Sequence, residues 1–452
     1  MVGVKADTAS QTLISTPSPA ELDAYWMPFT GNRQFKAEPR IITAAHGCHY
    51  YDADGQAILD SLSGLWCASF GHGRTAIADS IAETVRELDY APPFQFGHPA
   101  QFKLAKRVVD LTPAGLDHAF FTNSGSESAD TALKMARAYW QKRGADTKTR
   151  LIGRAKGYHG VNIGGTSVGG IEANRADLGG LWPADHLSHT LVDENRFSRG
   201  IPESGAERAD ELEALIATHG ADNIAAVMVE PVAGSAGVIV PPAGYLQRLR
   251  AICDRHDVLL IFDEVLTGFG RTGASFGAEL FGVRPDMMTL AKNMTNGTVP
   301  MGAVVVSDAI YRTFMEQDLP HYQIEFAHGY TYSGHPLACA AGLAALDLYE
   351  NEQMVAKSAA LAPYFEEQIH RLRGLPHVSD IRNIGLAGAL EIETVDGEPS
   401  KRPWKLSMGA WQRGMYLRYG GNTVQLGPPL ISEREHIDQM CNVLEDVLLA
   451  ID

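Results

Sequence analysis

Two stretches of the sequence place charged side chains at the ends of apolar runs. In VLLIFDEVLTGFGRTG (258–273) a run suited to the middle of a sheet ends in Asp263 and Glu264, and in MMTLAKNMTNG (287–297) another ends in Lys292. A charge left unpaired away from water is costly, so each of these groups needs a partner or a use. A desolvated lysine amine is either a snorkelling side chain or a nucleophile, and its best use is a Schiff base with a carbonyl. Successive strand residues point to opposite faces, so Asp263 and Val265 share one face and Glu264 takes the other. An aspartate on the ligand side stays ionised beside a cation or strong donors. A protonated pyridine nitrogen is one such cation, and Val265 would lie against the same ring. Glu264 then needs its own partner, for which Arg271 is available; local turn capping would serve either carboxylate as well.

A second constellation lies in FFTNSGSESADTALKMARAYW (120–140), which reads as strand, tight turn and helix, with Ala129, Leu133, Ala136 and Trp140 on one face. Ser124 followed by Glu127 fits a capping box. The free N–H groups of that helix start, with Gly125 and the Ser126 hydroxyl, suit a phosphate, although a capped structural helix would look the same. Gly268-Phe-Gly270-Arg-Thr-Gly273 raises a rival reading, because it spells the G-x-G-x-x-G of dinucleotide-binding turns, and Asp286 sits near the offset of a ribose ligand. The text after it is broken by Gly277, Gly282 and Pro285, so it lacks the uninterrupted crossover helix that an NAD-dependent oxidoreductase requires.

These residues need a frame. From about Leu65 to about Ser333 short apolar runs alternate with amphipathic stretches, which predicts an α/β fold with a mostly parallel sheet. Expected strands are His118–Thr122, Ile224–Glu230, Val258–Val265 and Met287–Lys292. Ligands of open α/β sheets bind at the carboxyl ends of strands, which singles out Asn123 to Glu127, Glu230, Asp263 with Glu264, and Lys292. After Pro336 an Ala- and Leu-rich helix leads into mixed strand and helix, a second and smaller α+β unit.

The bulk composition narrows the partners. A formal charge of -16, from 38 Lys and Arg against 54 Asp and Glu, disfavours nucleic acid and anionic membranes. Five scattered cysteines (48, 67, 253, 339, 441) without C-x-x-C spacing indicate reduced thiols, and the first twenty residues lack the apolar stretch of a secretory signal, so a cytoplasmic location is expected. Residues 1–20 read as a mobile arm. His46 and His49 around Cys48, and the series His321, His328 and His335, lack a fourth ligand at a recognised spacing, so no metal is expected.

Taken in order, TNSGSES, GYHG, VEPVAGSAGV, FDEVLTGFGRTG, AKNMTNGTVPMGA and HGYTYSGHP resemble the motifs of class III aminotransferases, pyridoxal-phosphate (PLP) enzymes of the type I fold. The resemblance runs from about Trp26 to the C-terminus. WMPFTGNRQFK, SLSGLWCASFGHG and LRYGGNTVQLGPP add a likeness to the omega-amino acid:pyruvate subgroup, whose donors include beta-alanine. It implies a large PLP-binding domain over 65–334 with a seven-stranded sheet, and a small domain from 21–64 and 335–452. Lys292 would carry the cofactor, Asp263 would pair with its ring nitrogen, and Gly125 and Ser126 would hold its phosphate. Tyr158 and Val265 would cover the two ring faces, and Thr331 would reach the phosphate of a neighbouring subunit, making a homodimer, or a homotetramer built from dimers, the active unit. Trp66, Arg418 and Gln425 match positions that shape the substrate pocket, and a planar guanidinium is apt for a carboxylate. Glu230 matches a motif position and would buttress its neighbours. The implied reaction moves an amino group from an omega-amino acid or primary amine to pyruvate in two stages. A PLP-dependent aminomutase or decarboxylase would keep Lys292 and Asp263 but need no amino acceptor.

Overall fold

The computed structural model describes residues 16–452. Of the expected arm, residues 1–15 lie outside the described residues; Ser18 caps a short helix at Pro19–Ala24 through reciprocal bonds with Glu21. Three strands follow: β1 (Ile42–His46), β2 (His49–Asp52) and β3 (Ala57–Asp60).

The next seven strands, β4 (Leu116–Thr122), β5 (Arg150–Arg154), β6 (Ala184–Leu187), β7 (Ile224–Val229), β8 (Leu259–Asp263), β9 (Met287–Leu290) and β10 (Gly302–Ser307), form one sheet in the order β4-β10-β9-β8-β7-β5-β6. Only β10 runs against its neighbours; the pairings β9/β8, β8/β7, β7/β5 and β5/β6 are parallel. Every residue of β7, β8 and β9 is buried. Helices cover both faces of such a sheet, which is why these strands read as continuous apolar runs and not as alternating ones. The 18-residue helix Gly125–Lys142 packs Ala129, Leu133, Ala136 and Trp140 into one core cluster with Ala226, Met228 and Ile261.

The C-terminal part adds β11 (Val378–Ile384), β12 (Ala387–Ile392), β13 (Met415–Tyr416), β14 (Arg418–Gly420) and β15 (Thr423–Leu426). Four of these make an antiparallel sheet in the order β11-β12-β15-β14, while β13 pairs in parallel with β3 and so joins residues 57–60 to the far end of the chain. The architecture is that of the type I PLP-dependent transferases: a seven-stranded, mostly parallel sheet with smaller sheets built from the chain's two ends. Among the described residues no helix is long and apolar enough to cross a membrane, and no cluster of His, Cys, Asp and Glu has the makings of a metal site. His328 hydrogen-bonds the Thr131 hydroxyl at 2.9 Å, and His335 accepts from the Leu337 amide at 3.2 Å at the start of the Pro336–Asn351 helix.

Candidate active site

The carboxyl ends of β4, β7, β8 and β9 converge on a cavity of about 340 Å³. Gly125, Ser126, Tyr158, Glu230, Asp263, Val265 and Lys292 all line it. At the end of β4 the chain turns through Asn123 and Ser124 into the long helix, where the Ser124 hydroxyl accepts from the Glu127 amide at 3.1 Å. The expected capping box is only half made. The Glu127 carboxylate takes the Asn123 amide at 2.7 Å and the Asn123 side chain at 2.9 Å, one residue earlier than the box requires, because Ser124 is extended and carries Asn123 across the helix start. The first N–H groups of a helix have no intrahelical acceptor and favour an anion. A side chain at Gly125 would sit 3.1 Å from a Val265 methyl, and one at Gly160 would collide with Ser126 at 2.4 Å, so both glycines keep this end of the cavity open.

Asp263, buried at the end of β8, accepts from the Val265 amide at 3.1 Å and hydrogen-bonds His159 Nδ1 at 2.8 Å. His159 is itself buried, and its Nε2 has no partner among the described residues. The histidine was not singled out from the sequence, although it is the middle of GYHG, beside Tyr158. Glu264 points the other way, as strand alternation demands, but its partner is not Arg271. Its carboxylate takes the Thr267 hydroxyl and the amides of Gly277 and Ala278 at 2.8 and 2.6 Å, the opening residues of a five-residue helix, and burial pushes its pKa up to about 7. Arg271 is carried away by a turn with positive φ at Phe269 and Gly270 (62° and 96°), and Gly273 (85°) continues the turn beyond it. It donates to the carbonyls of Leu386 and Pro428 at 3.0 and 2.7 Å and to the hydroxyls of Ser63 and Ser69. Burial pulls its pKa down to about 9. The G-x-G-x-x-G stretch is thus a tight turn that ties distant segments together, and no dinucleotide-binding helix follows it.

Lys292 follows β9 with φ of 49°, a left-handed conformation that is costly for a residue with a side chain and that turns the chain into the cavity wall. Its amine makes no hydrogen bond or ion pair among the described residues, and desolvation lowers its pKa against the opposing pull of Asp263. Glu230, fully desolvated and with its pKa raised by that burial, accepts from the amides of Tyr158 at 2.9 Å and Gly234 at 3.0 Å. It therefore fixes the backbone beneath the Tyr158 ring, whose own pKa burial also raises.

The remaining residues singled out from the sequence stand apart from the cavity wall. Gln425, opposite Arg418 in the β14/β15 pairing, donates to the carbonyl of Ser235, which does line the cavity, at 2.7 Å. Its Oε1 is buried without a partner among the described residues. Arg418 is half-buried and makes no ion pair among the described residues; its charge opposes protonation of Lys292 and favours ionisation of Tyr158. Trp66 does not reach the cavity wall. Its ring is 3% exposed, lies against the Arg271 guanidinium at 5.5 Å and crowds Gly427, while Cys67 takes the wall position. Thr331 is exposed outside the cavity, and its carbonyl accepts from Tyr90 at 3.1 Å. Ser235 went unnoticed in the sequence; its only signal is the Gly-Ser-Ala-Gly run in the loop that follows β7.

An unpartnered amine and a buried carboxylate facing one cavity, with a glycine-lined helix start at its edge, fit pyridoxal phosphate: an aldehyde, a ring nitrogen and a phosphate. Fold and site together define a PLP-dependent transferase of the type I fold. The comparisons with known proteins carry this one step further, since the pattern of the family "Aminotransferase class-III" matches residues 30–448. The chain belongs to the class III aminotransferases, and it is a PLP-dependent aminotransferase. It is 54% identical over 441 residues to the beta-alanine–pyruvate aminotransferase of Pseudomonas aeruginosa, covering 97% of this chain and 98% of that one. To the omega-amino acid–pyruvate aminotransferase of Pseudomonas putida it is 54% identical, with 96% and 97% covered. Among solved structures it resembles an (S)-enantioselective omega-transaminase from Thermomicrobium roseum (TM-score 0.89, 34% identity, 96% and 99% covered) and an amine transaminase from an uncultivated Pseudomonas species in its PLP-bound form (0.89, 36%, 95% and 99%).

Proposed function

We propose that this aminotransferase takes the amino group of beta-alanine, another omega-amino acid or a primary amine and delivers it to pyruvate, releasing a semialdehyde or ketone and then alanine. The observation that carries the reading is the near full-length, 54% identity to a beta-alanine–pyruvate aminotransferase. An unpaired arginine beyond the cavity, Arg418, supports it from the site.

When bound, PLP supplies a carbonyl that captures amines and a ring that accepts an electron pair. Lys292 would hold it covalently through its amine and, as the free amine, would take the proton from the carbon next to the donor nitrogen. Desolvation lowers the pKa of its amine, which favours the neutral form that such a base requires. Asp263 holds the proton on the ring nitrogen, and His159 at 2.8 Å fixes that carboxylate's orientation. Tyr158 and Val265 cover the ring, Gly125 and Ser126 bind the phosphate, and Glu230 holds the Tyr158 backbone. Arg418 grips the carboxylate of beta-alanine and of pyruvate through paired bonds. Gln425 sets the wall beside it, and Trp66 acts from behind Cys67. One site serving donor and acceptor in turn implies double-displacement kinetics.

We read the chain as a large domain over 65–334 and a small domain assembled from 21–64 and 335–452, a division that the β3/β13 pairing supports. Thr331 serves the phosphate site of a second copy, in a cytoplasmic homodimer or a homotetramer of such pairs. The exposed aromatic side chains of Trp26, Phe29, Phe94, Phe96 and Tyr322 support burial against a second copy.

The test is the visible spectrum of the PLP-loaded protein before and after beta-alanine without an acceptor. Beta-alanine should remove the absorption band of the lysine-bound cofactor, and pyruvate should restore it. A band that ignores beta-alanine ends the donor assignment while leaving Lys292 in its role.

A further inference from the structure

The loop after β7 is tied to the rest of the molecule from two sides. Ala233 and Ile239 close it with a pair of backbone bonds at 3.0 and 2.9 Å, and the amides of Gly237 and Val238 both fold back onto the Gly234 carbonyl. Val238 is buried and left-handed, with φ of 51°, a position that a β-branched residue occupies only under strain. A loop in that state must be held by its surroundings. On the cofactor side Glu230 holds it at the Gly234 amide. On the other side the C-terminal sheet holds it at two points two residues apart: Gln425 donates to the Ser235 carbonyl at 2.7 Å, and Arg382 Nε donates to the Gly237 carbonyl at 3.0 Å.

Thr423 and Gln425 share one face of β15, so the loop lies along that strand in a set register, Gly237 over Thr423 and Ser235 over Gln425. The fit is close, since a side chain at Gly237 would meet the Thr423 methyl at 2.7 Å and Arg382 Nη2 at 3.0 Å. Arg382 is itself immobile: it is buried, and its Nη1 is shared between the carboxylates of Asp380 at 2.6 Å and Glu391 at 2.7 Å. Nothing in the chemistry of the bound cofactor needs this arginine. Its effect is to fix the distance between the cavity wall at Ser235 and the Arg418/Gln425 strand pair.

We propose that Arg382 is a positioning residue for donor selectivity: by clamping the 233–239 loop onto β15 it sets the separation between the cavity and Arg418, and with it the enzyme's preference for donors that end in a carboxylate over donors that do not. The inference rests on the proposed role of Arg418. It is tested on the holoenzyme by single-turnover reaction with donor alone, followed by the spectrum of the bound cofactor, using beta-alanine and n-butylamine. Arg382→Lys keeps a charge for Asp380 and Glu391 but loses the directed bond to Gly237. It should weaken the apparent affinity for beta-alanine about tenfold, leave the limiting rate within about twofold, and change n-butylamine less than about twofold, because only the carboxylate contact is displaced. Gly237→Ala retains Arg382 with its two carboxylates but forces the loop away from both Thr423 and Arg382 Nη2, at a backbone position whose φ of 97° also strains an alanine, so it should shift selectivity in the same direction and decides the matter if the lysine variant does not fold. Equal losses for both donors, or an unchanged ratio with only a lower melting temperature, would make Arg382 a structural residue and overturn the proposal. If the parent enzyme itself discriminates against beta-alanine, the donor assignment has failed, and that is visible before any variant is made.

Discussion

Asp263→Asn changes one atom type in a site where both carboxylate oxygens are in use. Oδ1 accepts from the Val265 amide at 3.1 Å and Oδ2 takes His159 Nδ1 at 2.8 Å. An amide offers one acceptor, so its NH2 must face either the Val265 amide or the histidine. Facing the histidine is the lower-cost choice, and it drives the imidazole proton to Nε2, which is buried without a partner among the described residues. An orphaned buried donor of this kind costs about 1–3 kcal/mol of stability. The larger effect is on catalysis. A hydrogen bond to a charged partner contributes about 1.5–3 kcal/mol net, and in a site this dry the upper end applies, so the lost anion beside the ring nitrogen should lower kcat about 150-fold. The assay is steady-state turnover with saturating beta-alanine and pyruvate, repeated with donor deuterated at the carbon bearing nitrogen. Proton removal becomes slower than every other step, so the isotope effect should rise as kcat falls. Turnover within about threefold of the parent, with cofactor still bound, would refute the charge-holding role assigned to Asp263.

Lys292→Ala should cut turnover by at least about a thousandfold in a chain that remains folded, since no other amine lines the cavity to take over proton transfer; near-normal turnover would end the covalent account. Arg418→Ala removes two charge-assisted bonds to a carboxylate at a half-exposed position, about 2–3 kcal/mol or about 30- to 150-fold in kcat/KM for beta-alanine, while n-butylamine should change less than about threefold. Equal losses for the two donors would leave Arg418 a structural role only. Glu264 has its folded pKa raised from 4.5 to about 7 by burial, so its contribution is full below pH 4.5 and is lost as pH rises through 7, a swing of about 3 kcal/mol. Melting temperatures at pH 5 and pH 7.5 should therefore differ less in Glu264→Gln than in the parent, and identical differences would show that this carboxyl does not titrate between those values.

What the sequence revealed and what it hid divide along a physical line. β7 and β8 were legible because a parallel strand covered on both faces must be apolar along its buried length, and Ile224–Val229 and Leu259–Phe262 are. Once such strands are found, the residues just past their carboxyl ends are few, which is why Glu230, Asp263 and Lys292 stood out and why one cavity collects them. β5, β6 and β10 were not among the expected strands: β6, four residues of ADHL at the sheet edge, carries no such signature, whereas β10 (GAVVVS) carries it and was still passed over. The same limit applies to contacts made by loops. Ser235 reaches the cavity because Glu230 and Gln425 hold its loop from opposite sides, and those partners stand 5 residues before it and 190 residues after it. Pairing Glu264 with Arg271 failed for a related reason. Seven residues of separation suggest a local contact, but two positive-φ positions, Phe269 and Gly270, turn the chain between them and leave Arg271 facing segments from both ends of the protein. Glu264 instead found a helix start whose amides needed an acceptor. A buried charge must be satisfied, and a sequence can say so with confidence. Which group satisfies it is decided by the path of the backbone, and at Glu264 and Arg271 that path is set by the turn between them.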